Sequence, residues 1–580
     1  MDTRTAVSDS QEILRFYQDR MDEWLQGVPG SMWKEMGREF VRAWGDISAQ
    51  MINDPQAWTE RFARYQKSQM DLWLGMFAVE REDSEPPVRA KPGDRRFSGK
   101  AWNENPLFDY IRQSYLLASE ALYECADATT LNKANKEKLK FYTRQFVDAV
   151  APSNFFATNP EVIQQALDSK GKSLVDGMSN LMGDLDKGRI SMTDESAFRL
   201  GENIATSEGA VVFENDLFQL IHYKPLTDKV GNRPLLIVPP FINKFYILDL
   251  QPENSFVRYC LEQGNNVFIV SWANPDADKS ELGWDDYIES GTLKAFEVVK
   301  KIARAKTLNV VAWCVGGTLL ATTLAVLAAR NDDTVASATF FTTLLDFSEP
   351  GELGVFIDPE QVAEREQQVE KAGMLSGKDL ALIFSMLRAN DLIWSYVVNN
   401  YLKGRQPLQF DILYWNSDPT NLPANMYIAY IQNMYMENRL IEANALSFCG
   451  ESINLRSVRT PCYFLSTLED HIAPWKATFK TRDLFAGPVE FVLGASGHIA
   501  GVINPAGKNK RNYWINGEPG ADAERWLETA ENVPGSWWPN WDRWLKAQDW
   551  HEKAAPKTLG NVQFKPIEAA PGLYVKKRVD

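Results

Sequence analysis

Two hydrophobic patterns divide the chain at about residue 200. Over residues 10–80, apolar side chains recur at steps of three and four, for example at Trp58 and Phe62, and similar patterns resume up to about residue 190. This spacing places the apolar side chains on one face of a helix. We therefore expect a mainly helical N-terminal domain over residues 1–200. Its apolar faces form either an ordinary core or a surface that docks on an apolar partner or a second subunit.

From about residue 210, short continuous apolar runs alternate with helical segments. Runs without polar alternation are typical of strands buried on both faces, so they predict a mostly parallel sheet covered by helices on each side. The predicted strands are residues 218–225, 234–240, 266–272, 308–314, 337–347, 461–470 and 489–498.

The alternation stops between Phe347 and about Ser447, where the sequence is helical and rich in aromatic residues. A long insertion between two core strands is typical of a cap over an active site. The alternative is an additional helical subdomain with no gating role. We predict an α/β catalytic domain over residues 201–580 with an insertion at about 347–447.

Cys314 lies in the segment VVAWCVGGT, between an apolar run and a predicted helix, and Gly316 and Gly317 follow it closely. A nucleophile elbow has this form, because the backbone turns sharply and neighbouring chains pass close by. Ala312 stands where the usual pattern has glycine. A helix N-terminus and a nearby histidine favour the reactive thiolate, whereas the alternative is an inert buried cysteine. The elbow and the sheet together predict an α/β-hydrolase fold.

An elbow of this type needs an acid and then a histidine later in the chain. Asp470 ends one predicted strand and His498 ends the next, at the strand ends where open α/β sheets carry their chemistry. Glu469 is the alternative acid. The other three histidines are not expected to take part: His471, His222 and His551.

The same fold requires two backbone N–H groups that stabilise a developing oxyanion. The residue after the nucleophile supplies one, which is Val315 here. The loop after an early strand supplies the other, which we expect at about Phe241.

Composition narrows the class of protein. The chain has 580 residues and a formal net charge of −15, which disfavours binding to a nucleic-acid backbone. Its five cysteines lack CxxC spacing, so we expect neither a disulfide framework nor a metal site. The N-terminus has no signal-peptide pattern, and the longest apolar run, residues 319–329, is too short to span a bilayer. We expect an intracellular protein that is not transmembrane.

Long ordered blocks of the sequence resemble the polyhydroxyalkanoate synthases, from about residue 97 onward. The long single chain and the N-terminal helical region are similar to class I of that family. The blocks include PPFINKFYILDL, WCVGGTLLATTLAVLAAR, WNSDPTNLP, EDHIAPW, FVLGASGHIAGVINPAGKNKRNYW and GSWWPNW.

The resemblance implies an acyltransferase that polymerises (R)-3-hydroxyacyl-CoA, with 3-hydroxybutyryl-CoA as the expected substrate. It implies that Cys314 forms a thioester, with Asp470 and His498 as its partners. Coenzyme A is released as a product, and no cofactor is expected. A thiolate suits this reaction because it is both a strong nucleophile and a good leaving group.

Partners and binding residues follow from the same resemblance. The growing polyester and the granule surface are expected partners, together with a second copy of the chain in a homodimer and granule-associated proteins. The expected location is the cytoplasm, at the granule surface. Coenzyme A carries phosphates, so an acidic protein needs a local basic patch. The candidates are Arg388, Lys508, Lys510 and Arg511, each of which is alternatively a solvated surface residue.

Two rival functions fit parts of the sequence. A cysteine-dependent thioesterase or esterase would share the fold, since fold alone does not decide function. A coat protein would use the N-terminal helices to bind polymer inclusions without catalysis. Trp415 and Tyr435 line a substrate channel or pack in the core of the cap.

Overall fold

The computed structural model describes residues 44–45, 55–76 and 94–579. By the density of their contacts, these residues divide into two compact units. The first takes the described residues up to Asp194 together with Ile383–Leu408, and the second takes Glu195–Leu382 and the residues from Gln409 onward. The insertion expected at 347–447 is therefore divided, since its middle part belongs to the first unit.

The first unit is helical. Asparagine side chains cap several of its helices: Asn105 accepts from the N–H of Leu107 at 3.0 Å, and Asn159 accepts from the N–H of Glu161 at 3.0 Å. The helices are α1 (Pro55–Met76), α2 (Ala101–Glu104), α3 (Pro106–Asp127), α4 (Lys133–Ala149), α5 (Pro160–Asp168) and α6 (Lys172–Lys187), with π-helical turns at Asn390–Trp394 and Val397–Leu402.

The second unit is built on one large sheet. Its strands are β1 (Gly209–Glu214), β2 (Phe218–Tyr223), β4 (Leu235–Val238), β5 (Val267–Trp272), β6 (Leu308–Trp313), β7 (Val335–Phe341), β12 (Cys462–Thr467), β13 (Val489–Gly494), β14 (Asn512–Ile515), β15 (Glu531–Pro534) and β17 (Glu568–Ala569). Small pairs outside this sheet are β3 (Lys229–Gly231) with β16 (Glu552–Ala554), β8 (Met374–Leu375) with β9 (Leu422–Pro423), and β10 (Ser447–Phe448) with β11 (Glu451–Ser452).

Helices lie between these strands along the chain. They are α7 (Phe256–Glu262), α8 (Trp284–Asp286), α9 (Lys294–Ala303), α10 (Val315–Ala329), α11 (Pro359–Ala372), α12 (Gly377–Leu387), α13 (Asp411–Asn416), α14 (Ala424–Tyr430), α15 (Trp475–Lys480), α16 (Ala523–Thr529) and α17 (Trp538–Lys546). Helix α12 crosses the boundary between the units, because its residues from Ile383 onward group with the first.

The strand order is β15-β14-β13-β12-β7-β6-β4-β5-β2-β1-β17 within the described part of the chain. The six strands from β13 to β5 run parallel, and those toward both edges are antiparallel. Six of the seven predicted runs contain one strand of this sheet, and the run 337–347 overlaps β7, which begins two residues earlier at Val335. The run 337–347 is a strand only as far as Phe341, because Thr342 has a φ of 41° and turns the chain.

Both faces of the central strands are buried, which explains their continuous apolar sequence. Along β6, Val310 and Ala312 belong to one hydrophobic cluster, while Val311 and Trp313 belong to the cluster on the opposite face. The helix α10 is buried along nearly all of its length, so it packs fully on the sheet.

His222 on β2 is one of the buried polar groups in this core. Its ring stacks on Phe268 at 4.1 Å, and its Nε2 lies 2.9 Å from the Oδ1 of Asn266. Its Nδ1 accepts from the N–H of Gly560 at 3.1 Å, which fixes the proton on Nε2. Burial lowers the pKa of His222 from 6.5 to about 4, although the hydrogen bond with Asn266 opposes this effect.

Replacing His222 by Gln should remove an acid-sensitive contribution to stability. Because the pKa of His222 is lower in the folded chain than its ordinary value of 6.5, this contribution is present above pH 6.5 and is lost as the pH falls toward 4. The difference in free energy of unfolding between the unaltered chain and His222→Gln should shrink by about 2 kcal/mol from pH 7 to pH 5. Urea unfolding of both proteins at both pH values measures this difference. The titration of carboxylates present in both proteins cancels from it. A pH-independent difference would contradict the assignment.

Candidate active site

The thiol of Cys314 lies at the turn between β6 and α10. Cys314 has a φ of 52° and a ψ of −125°, a backbone conformation that costs a non-glycine residue about 1–3 kcal/mol. Hydrogen bonds hold this turn: the N–H of Cys314 donates to the carbonyl of Phe341 at 2.9 Å, and the N–H of Gly317 donates to the carbonyl of Cys314 at 2.8 Å. The predicted elbow is therefore present, and it leaves Cys314 partly accessible.

The two glycines after Cys314 allow neighbouring chains to approach. A Cβ atom on Gly316 would lie 2.7 Å from the carbonyl oxygen of Pro239 and 2.8 Å from that of Val238. A Cβ atom on Gly317 would lie 2.0 Å from the hydroxyl of Thr343. Glycine is required at position 316 because the atoms it meets belong to backbone, which cannot rotate away.

His498 and Asp470 form a close pair at the ends of neighbouring strands. The Nδ1 of His498 lies 2.7 Å from Oδ2 of Asp470, and the Asp470 carboxylate is completely buried. Its other oxygen, Oδ1, accepts from the N–H groups of Ile472 at 2.9 Å and Ala473 at 2.8 Å. These bonds hold the carboxylate in place beside the ring, so Nδ1 of His498 donates to it and Nε2 is left for the thiol.

Charge on both sides of the ring governs the protonation of His498. Burial by itself lowers the pKa of His498, but the negative charges of Asp470 and Cys314 and hydrogen bonding to both groups raise it above its ordinary value. An imidazolium between a carboxylate and a thiolate is the charge arrangement that an activated cysteine needs. Cys314, Asp470 and His498 are thus brought together. Glu469, the alternative acid, is exposed.

The remaining histidines lie elsewhere. His222 is part of the core, and His551 is exposed beside Asp549 at 2.9 Å. The carbonyl of His471 accepts from the N–H of Glu352 at 3.3 Å, so its backbone belongs to the packing of a neighbouring loop.

The two backbone groups expected to form an oxyanion hole lie on adjacent segments. Val315 is the first residue of α10, so its N–H has no acceptor within the helix. Phe241 lies three residues beyond the β4 end at Val238, in the loop whose Pro239 carbonyl approaches Gly316. The Phe241 ring is buried against Tyr287 at 5.0 Å, which fixes this part of the loop.

Two tyrosines face the thiol, and sequence reasoning singled out only one of them. Tyr430 and Tyr435 contact each other edge to face at 5.3 Å, and Phe347 lies 4.8 Å from Tyr435. Burial raises the pKa of both phenols, and the nearby Cys314 charge raises each further. Trp415, by contrast, is a core residue: it is buried, and its Nε1 donates to the carbonyl of Lys244 at 2.7 Å.

The basic candidates separate into two groups. Lys508, Lys510 and Arg511 all line a cavity of about 560 Å³, and burial lowers the pKa of Arg511. Ile503, which also lines this cavity, belongs to the hydrophobic cluster on which Ile412 and Cys314 pack. Arg388 belongs to the first unit, where it is exposed and pairs with Asp391. Among the described residues, no group of three or more His, Cys, Asp or Glu side chains is arranged to hold a metal ion.

Comparison with known proteins identifies the family to which most of the chain is similar. Residues 93–260 match the family model described as "Poly-beta-hydroxybutyrate polymerase (PhaC) N-terminus", and residues 233–505 match the model of the alpha/beta hydrolase fold. The poly(3-hydroxyalkanoate) polymerase subunit PhaC of Cupriavidus necator is 48% identical over 520 residues, which cover 89% of this chain and 87% of the relative. The chain belongs to the poly(3-hydroxyalkanoate) polymerase family.

Other relatives carry the same name. The subunit PhaC of Rhizobium meliloti is 42% identical over 93% of this chain and 89% of its own length, and the poly(3-hydroxyalkanoate) polymerase of Methylorubrum extorquens is 40% identical over 96% and 91%. The family resemblance and the α/β-hydrolase fold are thereby confirmed. Polymerases of this family are acyltransferases, and their product is a polyhydroxyalkanoate.

No single helix in the described ranges is both long and apolar enough to cross a membrane, although Gly377–Leu387 followed by Asn390–Leu402 meets that test by length and composition as a bent pair.

Replacing Gly316 by Ala should disable the elbow. The added Cβ would meet the Val238 and Pro239 carbonyls at under 3 Å, so either the helix start or the neighbouring loop must move. We expect polymerase activity to fall at least about 100-fold, since small displacements of reacting groups have effects of that order. The control is Gly183→Ala, because nothing lies within 4 Å of a Cβ at that helical position. Initial rates of coenzyme A release measure the effect, and activity near that of the control would contradict the close approach.

Proposed function

We propose that the chain polymerises (R)-3-hydroxybutyryl-CoA through a thioester on Cys314. The observation that carries this proposal is the constellation at the elbow: a strained cysteine at a helix start, facing an imidazole that a buried aspartate holds at 2.7 Å. Such an arrangement activates a thiol and accepts its proton. The family assignment supports a polyhydroxyalkanoate as the product, and the thiol supports a covalent thioester mechanism.

In the first step, His498 holds the proton from Cys314, and the thiolate attacks the thioester carbonyl carbon of the substrate. The carbonyl oxygen becomes an oxyanion, which the N–H groups of Val315 and Phe241 stabilise. The carbon–sulfur bond to coenzyme A then breaks, and the leaving thiolate takes the proton from His498. Cys314 now carries the acyl group.

In the second step, the 3-hydroxyl of another bound monomer gives its proton to His498, and its oxygen attacks the acyl carbon on Cys314. An ester bond forms, and the Cys314 sulfur leaves as a thiolate. The extended chain is now attached to coenzyme A, and Cys314 attacks that thioester in the next cycle. One coenzyme A is released for each monomer added.

Coenzyme A needs cationic contacts for its phosphates, because the whole chain carries a net charge of −15. We assign these contacts to the cavity lined by Lys508, Lys510 and Arg511. Support comes from the three cations of its lining, which outnumber the acidic Glu253 and Asp411. Ile412 and Ile503 also line it and contact the same hydrophobic cluster as Cys314.

We further propose that the protein acts at the granule surface in the cytoplasm and as a homodimer. Large apolar side chains exposed on α1 support attachment to an apolar polymer: Phe62 is 63% exposed and Leu74 is 55% exposed. The homodimer stays a prediction from the resemblance.

Replacing Cys314 by Ser should abolish covalent loading. In the unaltered chain, brief exposure to radiolabelled 3-hydroxybutyryl-CoA should label the peptide that contains Cys314, because the acyl group is held there between steps. In Cys314→Ser we expect at least about a 100-fold loss of polymer formation, since the hydroxyl is a poorer nucleophile and a poorer leaving group. The control is Cys449→Ser, which changes another partly exposed thiol. Release of free hydroxybutyrate without polymer by the unaltered chain would favour the thioesterase instead.

Replacing Lys510 and Arg511 together by Ala should raise KM for the CoA substrate. If these cations bind ground state and transition state alike, KM rises about tenfold and kcat stays within about twofold. Raising the salt concentration should narrow the gap between the variant and the unaltered chain. Lys557 and Lys565, two exposed lysines outside the cavity, are replaced together by Ala as the charge-matched control. Unchanged KM in the double variant would remove the cavity from the assignment.

A further inference from the structure

The loop that carries Phe241 is fixed at its start by the core. The carbonyl of Pro239 accepts from the indole Nε1 of Trp272 at 2.9 Å, next to its close approach to Gly316. Farther along, the carbonyl of Ile242 accepts from the N–H of Thr420 at 3.1 Å. The loop is therefore held by β5 and by the segment that follows α13.

The far end of the loop is held by a buried cation. Lys244 is only 2% exposed, and its ammonium donates to the main-chain carbonyl of Lys577 at 2.6 Å. The carbonyl of Lys244 accepts the indole proton of Trp415. Burial lowers the pKa of Lys244 to about 8, while the nearby Asp418 opposes that shift, so the amine remains charged at neutral pH. Burying a charged group costs free energy unless the group is paired and hydrogen-bonded. Here the Lys577 carbonyl and the nearby Asp418 offset that cost.

The acceptor belongs to a strap, which we define as residues 574–579. The hydroxyl of Tyr574 donates to the carbonyl of Asn215 at 2.9 Å, which fastens the strap beside the sheet. Lys577 pairs with Asp276 at 2.5 Å. Arg578 lies over the Tyr414 ring at 5.1 Å and pairs with Glu195 at 3.2 Å. Each contact joins the strap to a different part of the second unit.

The negative charge near Lys244 is separately accommodated. Asp418 is 1% exposed, and its Oδ2 accepts from the hydroxyl of Tyr246 at 3.0 Å. Its charge also interacts with Arg578 of the strap. Removing the Lys244 cation therefore leaves Asp418 with a hydrogen-bond donor and a cation nearby, so an apolar replacement of the lysine can fold.

We propose that Lys244 is a positioning residue, whose bond to the strap fixes the 239–244 loop so that the N–H of Phe241 points at the developing oxyanion. This inference rests on the proposed function, which assigns that role to Phe241. The lysine touches neither the thiol nor the imidazole in the contacts described above. It acts through the backbone of the loop, at a distance of three residues along the chain from Phe241.

The test is Lys244→Met, which keeps an unbranched apolar stem of similar length and removes the ammonium. We expect the first-turnover rate of coenzyme A release to fall about tenfold to 100-fold, because loss of one oxyanion donor costs about 100-fold to 1,000-fold and a displaced donor loses part of that. Alkylation of Cys314 by iodoacetamide should stay within about twofold, since that displacement reaction develops no oxyanion. A fall in the rate of coenzyme A release without a fall in the rate of alkylation indicates a misplaced donor, whereas a fall in both rates indicates a damaged thiol site.

A second variant ends the chain after Lys576 and so removes the carbonyl that accepts from Lys244. It also removes the Arg578 cation near Asp418, so it should slow coenzyme A release at least as much as Lys244→Met does. Lys576→Met, an exposed neighbour in the strap, is the control and should behave as the unaltered chain.

Three outcomes overturn the inference. These are normal coenzyme A release in Lys244→Met, an equal loss of alkylation and release in that variant, or normal coenzyme A release in the truncated chain. Absence of label on Cys314 in the unaltered chain would instead refute the proposed function, so the two failures are distinguishable.

Discussion

The close contact of the helix start at Gly316 with the carbonyls of Val238 and Pro239 is the constraint on which the site depends. It sets the distance between the elbow and the loop that carries Phe241, and it allows no side chain between them. The strained backbone of Cys314 persists because burial on both sides of β6 and along α10 holds the two flanking elements in place. Core packing rather than flexible surface loops therefore positions Cys314 and the two backbone N–H groups that we propose as oxyanion donors.

Sheet topology places the rest of the chemistry at the same edge. In the order β13-β12-β7-β6, the strands run parallel, so their carboxyl ends lie together. Asp470 follows β12, His498 follows β13, and Cys314 follows β6. Residues that are far apart in the sequence therefore become neighbours. The buried Asp470 carboxylate aligns the imidazole between itself and the thiol. The charge arrangement depends on this burial, because exposed groups would be screened by water.

Sequence patterns predicted the centre of this sheet better than its edges. The central strands are buried on both faces, and their continuous apolar runs predict this burial. Edge strands such as β14 and β15 are partly exposed and mixed in composition, so no period distinguished them from loops. The elbow, the acid and the histidine could be expected because a known chemistry requires them in that chain order. Tyr430 and Lys244 have no such signature, since each becomes informative only through partners distant in sequence. Local sequence patterns also gave no sign that the middle of the insertion groups with the first unit.

The fold by itself favours hydrolysis as readily as polymerisation, so the difference must arise around the thiol. In the proposed reaction, water and a 3-hydroxyl compete for the same acyl carbon, and His498 can take a proton from either. The rings of Tyr430, Tyr435 and Phe347 pack on one another, and both tyrosines lie near enough to Cys314 for its charge to raise their pKa values. A monomer brings its own binding energy through coenzyme A, whereas water brings none. In the proposed reaction, the aromatic surroundings of Cys314 and the binding of coenzyme A are the two features that favour the hydroxyl over water.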